Sequence, residues 1–200
     1  MYDLWSDGYG TSVPLLNDND EYPVAGYSQL LCEVYNAIRE SGAKKLLDVG
    51  FGTGILTNKL YMDGLTVYGI DASEQMVLAG RARMPDAVLI VGDYSMGMPL
   101  PLVHEAFDLI VSTYAFHHLD HCEKVSLLGD MLRLVPEGGK VIIGDLAFET
   151  REEMKNFRQQ QGDNWLYEDM YMVYEEAQKD FAHVEWKKIS KCAGIITITK

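Results

Sequence analysis

Residues 46–54 read Leu-Leu-Asp-Val-Gly-Phe-Gly-Thr-Gly, an apolar run that turns through three alternating glycines. Behind Lys44 and Lys45, the residues Leu46, Leu47 and Val49 have the composition of a buried strand. Gly50, Gly52 and Gly54 carry no Cβ, so the backbone there can take positive φ and let a ligand approach closely. Thr53 stands where a side chain could cap a following helix, whose first N–H groups would form a polar rim facing that ligand. Leu56 and Leu60 mark the inner face of this short helix, which should end at Gly64. Strand, glycine turn and helix in this order predict a site for a nucleoside-bearing molecule.

Outward from this stretch, the pattern repeats. Upstream, Leu30, Leu31, Val34, Ala37 and Ile38 fall on one face of a helix expected over residues 24–41, with Gly42 as its stop. Residues 1–23, with Trp5, Tyr9 and Tyr22, read as an irregular arm with aromatic anchors. Downstream, strands are expected at 66–72, 87–93, 107–116 and 140–148. Between them Ser73 should cap one helix, and Asp120 with Glu123 makes a capping-box start for another. Strands and helices alternating at this spacing require a parallel sheet with helices on both faces. After Phe148 the pattern changes. Residues 149–181 read as a charged, aromatic helical cover, and 182–200 as two strands joined by a tight connection, hence antiparallel. The whole chain, 1–200, is expected to be one domain, with 42–148 as its ligand-binding core.

Composition narrows the partners. A net charge of −13 argues against an electrostatic grip on nucleic acid or an anionic membrane. No run approaches the roughly 18 apolar residues of a membrane span. The N-terminus lacks the basic and apolar blocks of a signal peptide. Cys32, Cys122 and Cys192 are odd in number and widely spaced, as expected of reduced thiols in a cytoplasmic protein.

The acidic residues choose among ligands. Asp71 lies about 20 residues beyond the glycines, where a carboxylate can hold ribose hydroxyls. A dinucleotide turn shares that feature but requires G-x-G-x-x-G, and here the spacing is G-x-G-x-G with Ile55 in the third glycine's place. Asp48, two residues before Gly50, would repel a pyrophosphate and favour a cationic ligand.

With Gly92-Asp93-Tyr94, the strand ending in Ser112 to Phe116, and Leu134-Val-Pro-Glu-Gly-Gly-Lys-Val141, the motifs over roughly residues 44–146 resemble the class I S-adenosylmethionine-dependent methyltransferases. The segment Val111-Ser-Thr-Tyr-Ala-Phe-His-His-Leu119 is most similar to the YrrT-like branch of small-molecule methyltransferases. The resemblance implies a Rossmann-like α/β fold with a seven-stranded, mostly parallel sheet in the order 3-2-1-4-5-7-6, strand seven antiparallel. It also implies S-adenosylmethionine as cofactor, with S-adenosylhomocysteine as product. By that pattern Gly50, Gly52 and Gly54 pass under the methionine part, and Asp48 organises the turn or meets the ligand ammonium through water. Asp71 holds the ribose with Ala72 beside the adenine. Asp93 meets the adenine amino group with Tyr94 flanking it, and Ser112 to Ala115 bring backbone to the amino-acid end. Tyr9 of the N-terminal arm would fold over the cofactor.

Methyl transfer from a sulfonium needs alignment and exclusion of water, and aromatic faces can favour the cation. Trp5, Tyr9, Tyr114 and Phe116 are the candidate faces, and Tyr114, Phe116, Trp165 and Tyr171 the candidate substrate wall. Tyr167, Met170, Tyr171 and Tyr174 partly repeat at helical spacing within the expected cover. His117 and His118 follow the fourth strand at the mouth, as a base or substrate contact or as a pair closing the turn before Asp120. No carboxylate–histidine spacing suggests a metal. The absence of an (N/D)-P-P-(Y/F) run at the end of that strand argues against exocyclic-amine acceptors in nucleic acid. The reading is methyl transfer to a small molecule by a monomer or homodimer, with a non-catalytic cofactor-binding regulator as the alternative.

Overall fold

The computed structural model describes residues 21–166 and 170–200. Its centre is a twisted sheet whose strands follow the apolar runs of the sequence. Helix α1 (Tyr27–Ser41) leads into β1 (Lys45–Val49), α2 (Ile55–Met62), β2 (Thr66–Asp71), α3 (Glu74–Arg83) and β3 (Val88–Val91). Then come β4 (Leu109–Thr113), α4 (His121–Arg133) and β5 (Lys140–Phe148). The C-terminal part holds α5 (Arg151–Gln161), β6 (Met172–Val173), α6 (Tyr174–Asp180), β7 (Val184–Lys188) and β8 (Ala193–Thr199). The sheet runs β3-β2-β1-β4-β5-β8-β7, with β6 beside the end of β5. Strands β3 to β5 are mutually parallel along this path, and β8 is antiparallel to both β5 and β7.

This is the expected arrangement with one added strand, so the order is 3-2-1-4-5-8-7 rather than 3-2-1-4-5-7-6. The addition lies inside the segment expected to be a helical cover. Residues 149–181 are instead α5, a single 3₁₀ turn at Gly162–Asn164, the two-residue β6 and the short α6. The cause is the length of β5. Its pairing with β4 ends at Gly144, leaving the far end of the strand with backbone groups that need partners. Met172 and Val173 supply them by pairing with Ala147 and Phe148.

Helix α1 shows how the core positions the rest. Its buried face, Leu30, Leu31, Val34 and Ile38, lies against the sheet, and Gly42 ends it at φ 73°. Leu30 comes so close to β5 that a Cβ on Gly144 would stand 2.6 Å from its Cδ2. Ser73 caps α3, and Asp120 with Glu123 forms a complete capping box on α4, as the sequence predicts. At the hairpin edge the Trp186 ring lies on Gly194, where a Cβ would be 2.0 Å from its Cη2. Among the described residues no helix is long and apolar enough to cross a membrane.

Candidate functional site

The glycine turn lies at the C-terminal ends of the parallel strands, where such sheets bind ligands. Gly50, Gly52 and Gly54 have φ of 72°, 53° and 71°, a region that side chains with a Cβ rarely adopt. They differ in surroundings. A Cβ at Gly50 would meet the Ala115 Cβ at 2.5 Å, whereas one at Gly52 would meet nothing within 4 Å. Gly52 therefore faces open space, and Gly50 lets β4 close on the loop. Gly54, not Thr53, stands at the N-cap of α2, and no side chain caps that helix. The Thr53 carbonyl accepts from the Arg83 guanidinium.

Between the glycines Phe51 points inward. It is 5% exposed and packs with Val77, Met84 and Leu89. Two further glycines make room for it: a Cβ at Gly69 would be 2.8 Å from its Cδ1, and one at Gly80 would be 3.1 Å from its Cε2. The loop is thus pinned by a ring in a slot between β2 and α3.

Three carboxylates stand at the C-terminal ends of β1, β2 and β3, each in a different state. Asp71 accepts the Gly52 N–H at 2.7 Å and the Ser73 N–H at 2.9 Å. Asp48 is fully enclosed under the loop, accepts the Thr57 hydroxyl at 2.5 Å, and has a second oxygen with no partner. Burial pushes its pKa up to about 7, with the Asp71 charge adding to the effect. Asp93 is exposed and accepts from Ser95 N–H and hydroxyl at 3.0 and 2.7 Å, bonds that hold its pKa below the usual carboxylate value. Tyr94 follows, with its hydroxyl 3.1 Å from where a Gly50 Cβ would be. Burial, then the nearby Asp71, Asp145 and Asp93, push its pKa up to about 12.

Tyr114 ends β4 with φ 51°. A left-handed tyrosine costs about 1–2 kcal/mol, offset here by its N–H bond to the Gly144 carbonyl and by ring contact with Tyr27 at 4.9 Å. Tyr27, Tyr114, Thr113 and the loop from Gly50 to Thr53 line a cavity of about 180 Å³. Ser112 is buried and donates to the Val49 carbonyl at 2.7 Å, tying β4 to β1 just below this cavity. Ala72 is exposed beside Asp71. Tyr9, Trp5 and Tyr167 lie outside the described residues.

The expected substrate residues separate. Phe116 is wholly buried in the main core rather than facing the cavity. Trp165 and Tyr171 pack with Tyr22, Phe148 and Phe157 into an aromatic cluster beneath α5, with Trp165 and Tyr171 rings 4.8 Å apart. Tyr171 and Tyr174 do not share a helical stripe, because β6 intervenes.

His117 and His118 sit on a 3₁₀ turn (Phe116–His118), their rings 4.1 Å apart, the first buried and the second exposed. The residue organising them is one the sequence reading passed over. Asp145, 1% exposed in β5, accepts the N–H groups of Phe116 and His117 at 2.7 and 3.1 Å. Its other oxygen accepts the Leu146 N–H at 2.7 Å and lies 2.7 Å from His117 Nδ1. A lone carboxylate inside the apolar run Lys140–Phe148 was the available signal. Lys124 of α4, also buried, donates to the Leu119 carbonyl at 2.6 Å and to the Met170 carbonyl. Burial lowers its pKa to about 8.

The methyltransferase-domain family matches residues 47–143. An uncharacterized methyltransferase of Geobacillus sp. (strain WCH70) is 37% identical over 76% of this chain and 68% of its own length. Another, from Oceanobacillus iheyensis, is 31% identical over 100% of this chain and 96% of its own. Among solved structures, magnesium protoporphyrin IX methyltransferase from Synechocystis with bound SAH superposes with a TM-score of 0.70. It is 16% identical, over 96% of this chain and 90% of that one. A TehB-like SAM-dependent methyltransferase from Corynebacterium glutamicum gives 0.59 at 22% identity, over 86% and 87%.

Proposed function

The chain belongs to the class I S-adenosylmethionine-dependent methyltransferases, and from that premise we propose that it methylates a small-molecule nucleophile. The observation that carries the reading is Gly52. Its left-handed backbone faces open space while its N–H is held by Asp71, so the loop keeps a ligand-sized gap next to a carboxylate. Such a gap fits the cofactor's amino-acid and sulfonium part, and Asp71 retains lone pairs for the ribose hydroxyls. Ala72 and Asp93 would then meet the adenine, with Tyr94 flanking it. Ser112 would set the β4 backbone toward the amino-acid end, and Tyr27 and Tyr114 would wall the cavity.

When bound, the cofactor supplies an electrophilic methyl group. The chain's part is to hold the acceptor in line and exclude water, which proximity and desolvation make effective. The turn bearing His117 and His118 would face the acceptor. The acidity of the chain, −13 overall, supports a small metabolite rather than a nucleic acid as that acceptor. Cys32, Cys122 and Cys192 are thiols and form no disulfide among the described residues, which supports a reducing, cytoplasmic setting, and a monomer or homodimer would suffice.

Isothermal titration with S-adenosylmethionine, S-adenosylhomocysteine and NAD tests the cofactor. Micromolar binding of the first two without NAD is expected. Methyl transfer from labelled cofactor to a panel of small nucleophiles tests the reaction. Binding with no turnover of any acceptor would leave a cofactor-binding regulator.

A further inference from the structure

We infer that His117, oriented by Asp145, is the general base of the reaction, and that the acceptor is a hydroxyl or thiol that enters with its proton. This rests on the methyl-transfer reading above. An ionised carboxylate can only accept hydrogen bonds, so a proton on His117 Nδ1 satisfies the 2.7 Å contact with Asp145. In the neutral ring Nε2 is then the nitrogen with a lone pair. Asp145 also holds the His117 backbone N–H, so ring and turn are fixed by one side chain. Capping the turn needs only the bonds from one oxygen to Phe116 and His117. The contact of the other oxygen with the imidazole is additional, and it keeps a ring that is 6% exposed in a defined tautomer. His118 lies against that ring and is itself exposed.

The turn that carries the dyad meets the glycine loop. Ala115, two residues before His117, packs on Gly50, and the Tyr94 hydroxyl reaches the same place. Tyr94 lies within electrostatic reach of both Asp71 and Asp145. The titratable groups about the turn are His118 beside the ring, Asp145 from β5, Lys124 from α4 and Tyr94 after β3. Lys124 and Tyr94 both lie within electrostatic reach of Asp145.

A base of this kind matters for a hydroxyl or thiol, which is a poor nucleophile until its proton leaves. A neutral amine can attack first and shed its proton to water afterwards. In the step, the acceptor oxygen or sulfur forms a bond to the methyl carbon as the carbon–sulfonium bond breaks. Its electron pair stays on the departing thioether sulfur. The acceptor's proton passes to His117 Nε2, and the imidazolium is stabilised by Asp145.

The test uses the full chain with S-adenosylmethionine and a panel of phenols, alkyl thiols and anilines, reading S-adenosylhomocysteine formed across pH. Phenols or thiols should react at a rate that falls as pH drops through a single protonation. In H117Q that limb should vanish, with the rate about 10²–10⁴-fold lower and partly restored by added imidazole. Cofactor affinity should stay near the wild-type value, and any aniline rate should fall less than the phenol or thiol rate. Asp145→Asn should shift the pH limb and move the ring proton to Nε2, read by long-range ¹H–¹⁵N spectra of labelled protein. Should that variant fail to fold, H117Q and the wild-type tautomer decide alone. Phenol or thiol turnover that survives H117Q with its pH limb intact, or a wild-type ring protonated on Nε2, overturns the base while leaving methyl transfer standing. Cofactor binding without turnover of any acceptor overturns both.

Discussion

The backbone N–H of Gly52 donates to the Asp71 carboxylate across 2.7 Å, so the second strand holds the glycine turn in its ligand-ready shape. One side chain therefore serves both the loop and the ligand expected on it. Asp71→Ala should lose a charge-assisted bond of about 1.5–3 kcal/mol, roughly 10- to 100-fold in cofactor affinity. Titration calorimetry on a variant with an unchanged circular dichroism spectrum checks this. Wild-type affinity there would remove Asp71 from the site.

The Phe51 slot makes a coupled prediction. Gly69→Ala forces a Cβ to 2.8 Å from both Phe51 and Leu89, and should cost about 1–3 kcal/mol by overpacking. Phe51→Ala should cost about 3–5 kcal/mol by leaving a cavity. In a double-mutant cycle by urea unfolding, Gly69→Ala should cost less in the Phe51→Ala background, because the ring it collides with is gone. Strict additivity would mean that Phe51 does not occupy the slot.

Asp48 predicts a pH dependence. Its folded pKa, raised to about 7, lies above the unfolded value, so its contribution is fully present below the unfolded pKa near 3.8. It is lost as pH rises through about 7, where an ionised carboxylate must stay buried with one oxygen unpartnered. Asp48→Asn should therefore be more stable than wild type by on the order of 2 kcal/mol at pH 8, with the difference shrinking toward pH 4. Thermal melts of both proteins across that range would show the curves converging at the acid end. Parallel curves would refute the buried, ionising carboxylate.

At the sheet edge, Gly194→Ala should be among the most damaging small substitutions in the chain. The new Cβ would sit 2.0 Å from the Trp186 ring, and that ring covers the strand backbone. A loss of about 3 kcal/mol or more is expected, partly recovered by Trp186→Val, which clears the ring from the strand. Denaturant midpoints of the single and double variants measure both effects.

Much of this architecture was legible because its signals are local. The glycine spacing, the caps at Ser73 and Asp120, and the apolar strands all act within a few residues of themselves. The hairpin was readable for the same reason. What escaped notice depends on distant partners. β6 exists because β5 outruns β4, a length mismatch that residues 170–173 do not advertise. Asp145 looked like one polar residue in a strand, since its partners at 116 and 117 are brought to it only by the β4–β5 pairing. Phe116, Trp165 and Tyr171 were aromatic residues near the mouth in sequence, but apolar burial drew them into cores instead. Both histidines are visible in the sequence, but the carboxylate that orients His117 comes from β5 and is not.

The ring of Phe51 gives the cofactor loop an unusual dynamic character. Most ligand-contacting loops open independently of the domain beneath them. Here the amides of Gly50 and Gly52 cannot swing outward without drawing an aromatic side chain out from between β2 and α3. Their hydrogen exchange should follow the slow opening of that half of the sheet rather than the fast fraying of a surface turn. Cofactor release and local melting would then share one barrier, and ligand off-rates would carry the temperature dependence of an unfolding event.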